Sequence, residues 1–157
     1  MYDKVYYVGA KAEESGTIQG QALAAYWDAH PEADLNKDGV IQYVMLTGEP
    51  GHQDAELRTK YSIQYLTDNN YKVECLAQDT AMWDRVKGQD KMATFLAAHP
   101  DKIEAVFANN DDMPFLPVPS PGRAIQNLLC RIARRAIAAG FTGCLLDKRK
   151  TSAIINL

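Results

Sequence analysis

Asp34, Asn36, Asp38 and Gln42 place oxygen-bearing side chains at alternating positions through Asp34-Leu35-Asn36-Lys37-Asp38-Gly39-Val40-Ile41-Gln42. This run fits the first nine positions of an EF-hand loop. Side-chain oxygens stand at positions 1, 3, 5 and 9, with Gly39 at position 6, where the backbone turns sharply. Val40, at position 7, would add its carbonyl. Hard oxygen donors wrapped around a tight turn are calcium chemistry, so the spacing predicts a Ca²⁺ site. The competing reading is an Asx-rich surface turn that feeds a strand. One ligand is missing, because position 12, a bidentate Glu in an EF-hand, is Met45 here. The run after Gly39 also reads as a strand, where an EF-hand would start its exiting helix. The missing carboxylate must come from the amino end of a neighbouring parallel strand, and Glu104 fits. Glu32 is near in sequence but on the wrong side of Pro31 and Ala33.

A second set of chemically capable residues follows three strand-like segments. His52, Asp54 and Arg58 come after the first, Asp79 and Trp83 after the second, and Asn109, Asn110, Asp111 and Asp112 after the third. Carboxylate, guanidinium and amide groups pair hydrogen bonds with vicinal hydroxyls, and an indole face stacks on the C–H surface of a pyranose. That is the chemistry of sugar binding. Each residue also has a plainer use: Asp54 as an N-cap, Arg58 in a surface ion pair, Trp83 as a loop anchor, Asn110 in a turn. Catalytic signatures are lacking. There is no G-x-S-x-G elbow, no H-E-x-x-H and no Gly-rich phosphate loop, and no nucleophile lies beside His52. A glycosidase would need a spaced carboxylate pair, and none is identifiable. The expectation is a binding protein rather than an enzyme.

The elements that must position these residues alternate. Apolar periodicity predicts helices over 13–29, 54–66 and 84–98 and strands over 41–46, 71–77 and 103–108, with a short strand or linker at 5–9. On the first helix Ile18, Ala22, Leu23, Ala25 and Tyr26 recur at helical spacing, and on the second Leu57, Tyr61, Ile63 and Leu66. Strands separated by helices of this length mean βαβ units, an α/β fold and a parallel sheet with helices on both faces. Ligands bind such sheets at the carboxyl ends of the strands. The sugar-type residues therefore lie on one edge and the calcium-type loop on the other. Cys75, inside a strand, reads as a small buried apolar residue.

Length and composition set the outer bounds. At 157 residues, 46% hydrophobic and 24% charged, the chain is one ordinary globular domain. The most apolar stretch, 128–146, is interrupted by Arg131, Arg134 and Arg135, so no membrane span is expected, and Met1-Tyr2-Asp3-Lys4-Val5 does not read as a signal peptide. The net charge of −3 does not favour nucleic acid. It conceals a split: residues 1–112 carry −9 and residues 113–157 carry +6. The basic part also holds Cys130, Cys144 and the prolines between Pro114 and Pro121. Its arginines and Lys148-Arg149-Lys150 lack the aromatic platform of a nucleic-acid surface.

Tyr6-Tyr7-Val8-Gly9, the calcium-type loop, Gly48-Glu49-Pro50-Gly51-His52, Asp79-Thr80-Ala81-Met82-Trp83-Asp84 and Ala108-Asn109-Asn110-Asp111 together resemble the bacterial periplasmic galactose/glucose-binding proteins. The resemblance covers residues 2–113. It implies part of the second lobe of a two-lobed fold, from a protein that delivers galactose or glucose to an ABC permease and to a chemoreceptor in the periplasm. It also implies roles. His52, Asp54, Arg58 and Asn110 would be sugar-hydroxyl ligands and Trp83 the stacking face. Asp34, Asn36, Asp38, Gln42, Glu104 and the Val40 carbonyl would be calcium ligands. A calcium-stabilised interaction module with a vestigial sugar site is the alternative. A sugar-responsive repressor domain shares the fold but not the calcium loop.

The resemblance stops after Met113. The expectation is that the first lobe and the end of the second are absent from this chain. Family members continue into a small-residue helix of the form Ala-x-Gly-Ala-Ile, where Pro114-Phe115-Leu116-Pro117-Val118-Pro119-Ser120-Pro121-Gly122 stands here. Residues 116–122 can be encoded as TTG CCG GTG CCA TCG CCG GGC. Read from its third base, that gives Ala-Gly-Ala-Ile-Ala-Gly. Residues 114–157 are therefore read as an out-of-frame tail, against the alternative of a basic amphipathic helix over 124–139.

Overall fold

The computed structural model describes residues 11–114. Helix α1 (Ala12–Ala29) is followed by a single 3-10 turn (Pro31–Ala33) and the calcium-type loop. Strand β1 (Val40–Thr47), helix α2 (Gln53–Asp68), strand β2 (Lys72–Thr80), helix α3 (Arg85–Ala98) and strand β3 (Ala105–Ala108) then alternate. All three strands are parallel, in the order β2-β1-β3. The α/β class and the alternation read from periodicity are both present. The segment expected at 5–9 and the tail expected over 114–157, beyond Pro114 itself, lie outside the described residues.

Central β1 is buried on both faces, which is why it reads as an unbroken apolar run rather than an alternation. Ile41, Tyr43 and Met45 face one way and pack with Leu23 and Ala24 of α1, Leu66 of α2 and Phe107 of β3. Tyr43 meets Phe107 edge-on, with ring centroids 5.4 Å apart. Val44 and Leu46 face the other way, onto Met92 and Phe95 of α3, with Ile103, Ala108 and Met113. Helices thus cover both faces, α1 and α2 on one side and α3 on the other.

Two local devices set the element ends. Asn70 takes a left-handed φ of 65° after α2, with Tyr71 N–H donating to the Leu66 carbonyl (2.9 Å) and Asn70 N–H to that of Thr67 (3.1 Å). This paired closure turns the chain into β2 and needs a residue that tolerates positive φ, as Asn does. After β1, Pro50 and Gly51 (φ 80°) form a turn closed by His52 N–H on the Glu49 carbonyl at 3.1 Å. A left-handed third position is what a type II turn requires, and Gly51 supplies it without strain.

Three details differ from the sequence reading. In α2 only Leu66 of the expected apolar row is fully buried, and Ala55 and Ser62 join it inside. In α1, Ala25 is exposed and Ile18 half-buried, while Gly16 and Gly20 are buried. Both follow from how closely the two helix backbones approach. A Cβ on Gly16 would lie 2.6 Å from the Arg58 carbonyl oxygen, and one on Gly20 2.5 Å from that of Ser62. At that spacing the interface is built from small residues. Cys75 is exposed rather than buried. It lies on β2, the edge strand among the described residues, and a bulge between Tyr43 and Val44 shifts the β1–β2 register beside it. Burial and the adjacent Cys75 thiol push the Tyr43 hydroxyl up to about 12.

Candidate functional site

The chain runs from β1 to β2 on one side, then returns across β1 to β3 on the other. That reversal makes the carboxyl ends of β1 and β3 a topological switch point, where doubly wound sheets leave a crevice for ligands. Asn109 bridges it. Its Oδ1 accepts from the Gly48 N–H at the exit of β1 (2.9 Å). Its own N–H reaches the Leu46 carbonyl at 3.2 Å.

The five residues expected to face a sugar are linked around this point. Arg58, one turn into α2, donates from Nη1 to the Asn109 carbonyl at 2.7 Å. Its Nη2 stands 3.9 Å from Asp54 Oδ2, a loose, partly exposed pair that leaves the carboxylate open to other donors. Arg58 Nε is buried and has no hydrogen-bond partner. Asp54 is not the N-cap of α2. His52 holds that position, without a side-chain cap bond, and Asp54 sits in the first turn. Trp83 meets the His52 ring edge-on, with centroids 5.2 Å apart. Asn110 donates from Nδ2 to the Trp83 carbonyl (3.3 Å) and accepts from the Met113 N–H (3.0 Å), so it is a turn residue as well as a candidate ligand.

The indole is held in place by its backbone. Met82 and Trp83 both have positive φ, 52° and 60°. Two such non-glycine residues in succession cost about 1–3 kcal/mol each and persist only where the surroundings impose them. Here Ala81 N–H donates to the Thr47 carbonyl (2.8 Å), and Asp84 caps α3 through the Lys87 N–H (2.9 Å). The half-buried indole then lies over Gly48, where a Cβ would come within 2.2 Å of the ring. Gly48 is therefore part of the platform. Gly48 does not stand out in the sequence as a site residue, and Asn109 reads there as one of a polar group with no role of its own, because both roles depend on what crosses above or beside them.

Two ion pairs flank this edge. Arg85 pairs with Asp112. Lys91 Nζ lies 2.5 Å from Asp79 Oδ2. The Lys91 hydrogen bond holds the Asp79 carboxyl below its ordinary range, overcoming slight desolvation, with help from the Thr80 N–H.

At the opposite edge the loop residues are also neighbours. Lys37 (φ 62°) and Gly39 (φ 73°) make the turn. Asp34 accepts from the Gly39 N–H at 2.8 Å, and Asn36 Oδ1 from the Asp38 N–H at 3.0 Å. Asp38 accepts from Val40 N–H (2.7 Å) and from the amides of Asn36 and Gln42 (both 2.8 Å). Slight desolvation pushes the Asp38 carboxyl up, but those hydrogen bonds prevail and hold it below its ordinary range. Glu104, at the entrance to β3, accepts from the Leu35 N–H (2.6 Å) and the Gln42 N–H (3.0 Å), tying the loop to the sheet. Burial pushes its carboxyl up, and nearby Asp34 and Asp38 add to this against the two backbone bonds. Among the described residues no three His, Cys, Asp or Glu side chains form a ready-made metal cluster. The donor set nonetheless fits a hard cation: the carboxylates of Asp34, Asp38 and Glu104 lie near one another, and Gln42 Oε1 is buried without a partner.

A family model described as a periplasmic binding protein domain matches residues 1–141. The D-galactose/methyl-galactoside binding periplasmic protein of Haemophilus influenzae is 49% identical over 113 residues, covering 71% of this chain and 34% of that protein. The chain thus spans about a third of that relative's length. A Mycobacterium smegmatis structure in complex with β-D-fucofuranose aligns with a TM-score of 0.57 at 26% identity, over 84% of this chain and 36% of that one. An Actinobacillus succinogenes solute-binding protein with bound D-allose, at 20% identity, shares the fold, with a TM-score of 0.55 over 87% of this chain and 39% of that one. With a sheet whose strand order places its switch point under the clustered polar and aromatic residues, the chain belongs to the periplasmic binding protein domain family.

Proposed function

We propose that this chain carries one half of a monosaccharide site, for galactose or glucose, of a periplasmic binding component that supplies an ABC permease. The family consists of sugar-binding transport components rather than enzymes. The observation that carries the reading is the arc from His52 and Trp83 through Asn110 to Arg58 and Asp54, at the carboxyl ends of the strands. In this role the Trp83 face stacks on the pyranose ring, while Asp54, Arg58, His52 and Asn110 bond its hydroxyls. Delivery to a chemoreceptor is the further role that goes with such a protein.

The same reading places Ca²⁺ at the other edge, held by Asp34, Asn36, Asp38, Gln42, Glu104 and the Val40 carbonyl. The ion would join the loop to the entrance of β3 and balance the gathered carboxylates. The unpartnered Gln42 oxygen and the raised Glu104 carboxyl support this.

The test of the sugar reading is an NMR titration of the 157-residue chain with D-galactose and D-glucose, observing the Trp83 indole N–H. With one wall of a cleft, affinity is expected at about the millimolar level, roughly 4 kcal/mol of binding free energy. Saturable shifts at Trp83 and Asn110 that vanish in Trp83→Ala are the expected result. Absence of any saturable shift at Trp83 would overturn the sugar reading. Low-micromolar affinity in a monomer would overturn the half-site part of it.

A further inference from the structure

Asn109 is buried, 3% exposed, and does not present its side chain to a ligand. Its polar atoms nevertheless hold Arg58 and the neighbours of the residues that do. Oδ1 receives the Gly48 N–H at 2.9 Å, beneath the Trp83 indole. The backbone carbonyl receives Arg58 Nη1 at 2.7 Å. The side-chain amide also faces the Thr59 hydroxyl, with Nδ2 to Oγ1 at 3.0 Å and Oγ1 to Oδ1 at 3.3 Å. From α1, Gln19 Nε2 reaches the Ala108 carbonyl at 3.1 Å, fixing the residue before it.

We infer that Asn109, locked by the Thr59 hydroxyl, is the positioning residue that sets the Arg58 guanidinium and the Gly48–Trp83 platform at one spacing for the sugar. The inference rests on the sugar reading above and adds which buried group controls the affinity of that site. A carboxamide suits the place because it can accept from Gly48 and donate to Thr59 at once. An aliphatic side chain would leave the Gly48 N–H unpaired under the indole, and the loop would relax to find water. Thr59 sits next to Arg58 on α2, so its bond to Asn109 also fixes how α2 presents the guanidinium. Trp83 and Arg58 are thereby coupled through one residue, the platform by its side chain and the guanidinium by its backbone carbonyl.

The test uses the full chain with Thr59→Val, Thr59→Ser and Asn109→Ala, because the first two leave Asn109 itself intact. Two readouts are needed. Without sugar, the Trp83 indole N–H and Arg58 Nε–H signals report the platform. With D-galactose, the titration reports affinity. Thr59→Val is expected to move both signals and weaken binding roughly three- to tenfold, about the effect of losing one neutral hydrogen bond. Thr59→Ser restores both, and Asn109→Ala exceeds Thr59→Val if it folds. Thr59→Val with a lowered melting temperature but unmoved Trp83 and Arg58 signals overturns the inference, as does a serine variant that fails to rescue them. An unmodified chain that ignores sugar defeats the sugar reading instead, and the sugar-free signals still decide whether Asn109 positions the two groups.

Discussion

Asp79 shows how one residue reports its surroundings. Lys91 holds its carboxyl below the ordinary value, so the pair contributes stability above the unfolded-state pKa of about 3.9 and loses it as pH falls through the folded value. Both side chains are about two-fifths exposed, which limits the contribution to a small one. Lys91→Met should raise the Asp79 pKa toward its ordinary value, as followed by carboxyl carbon shifts in an acid titration. An unchanged Asp79 titration would mean that Lys91 is not the cause. Trp83 shows the opposite dependence, of a residue on its surroundings. Its left-handed backbone is unfavourable in isolation and exists because β1, Asn110 and the cap of α3 hold it from three sides.

At the scale of elements, the α1–α2 contact decides where α2 lies and therefore where Arg58 and Thr59 stand. Gly20 permits the approach, with Ser62 backbone oxygen 2.5 Å and Tyr65 Cβ 2.9 Å from where its own Cβ would be. Alanine would gain about 1 kcal/mol in helix propensity. It would also push against backbone that cannot swing aside, at a cost of roughly 1–3 kcal/mol beyond that gain. Gly20→Ala should therefore destabilise the chain in urea unfolding, although it improves the isolated helix. A higher unfolding midpoint would show that α1 and α2 can separate freely. Gly88 makes the corresponding contact on the other face, where a Cβ would meet the Met113 carbonyl at 2.1 Å. Fully buried Met113 is thus anchored to α3 immediately after the Asn110 turn.

Across the whole molecule, the two candidate sites lie at opposite ends of the same three strands. A cation at the amino end would act on the loop and on β3 together, since Glu104 lies 62 residues from Gln42 in sequence and binds its N–H. Such binding would require the sheet, and by linkage it would stabilise the folded chain by about 2.7 kcal/mol at a hundredfold excess over Kd. Thermal melts in calcium and in chelator should differ accordingly. Glu104→Gln should remove most of the difference, and Glu32→Gln, an exposed change outside the loop, should leave it. Identical melts of the unmodified chain in calcium and chelator would rule the calcium reading out.

Periodicity and local chemistry alone determined the α/β alternation, the unbroken apolar run of β1 and the placement of two polar groups on opposite edges. These depend on side-chain spacing along the chain, which the sequence displays directly. The partnership of Glu104 with the loop was also legible, because a missing ligand at Met45 and parallel pairing leave few donors at the strand entrances. What lies across the chain was not. Gly16, Gly20 and Gly48 matter through atoms of α2 and Trp83 that pass close to them, and no local pattern records that approach. Cys75 is exposed where β2 is the edge strand among the described residues, a property of sheet order rather than of its neighbours. Asn109 looked like one of several polar loop residues. Only the tertiary structure decided that it lies buried, because its partners Gly48 and Thr59 come from elements 61 and 50 residues away in the chain.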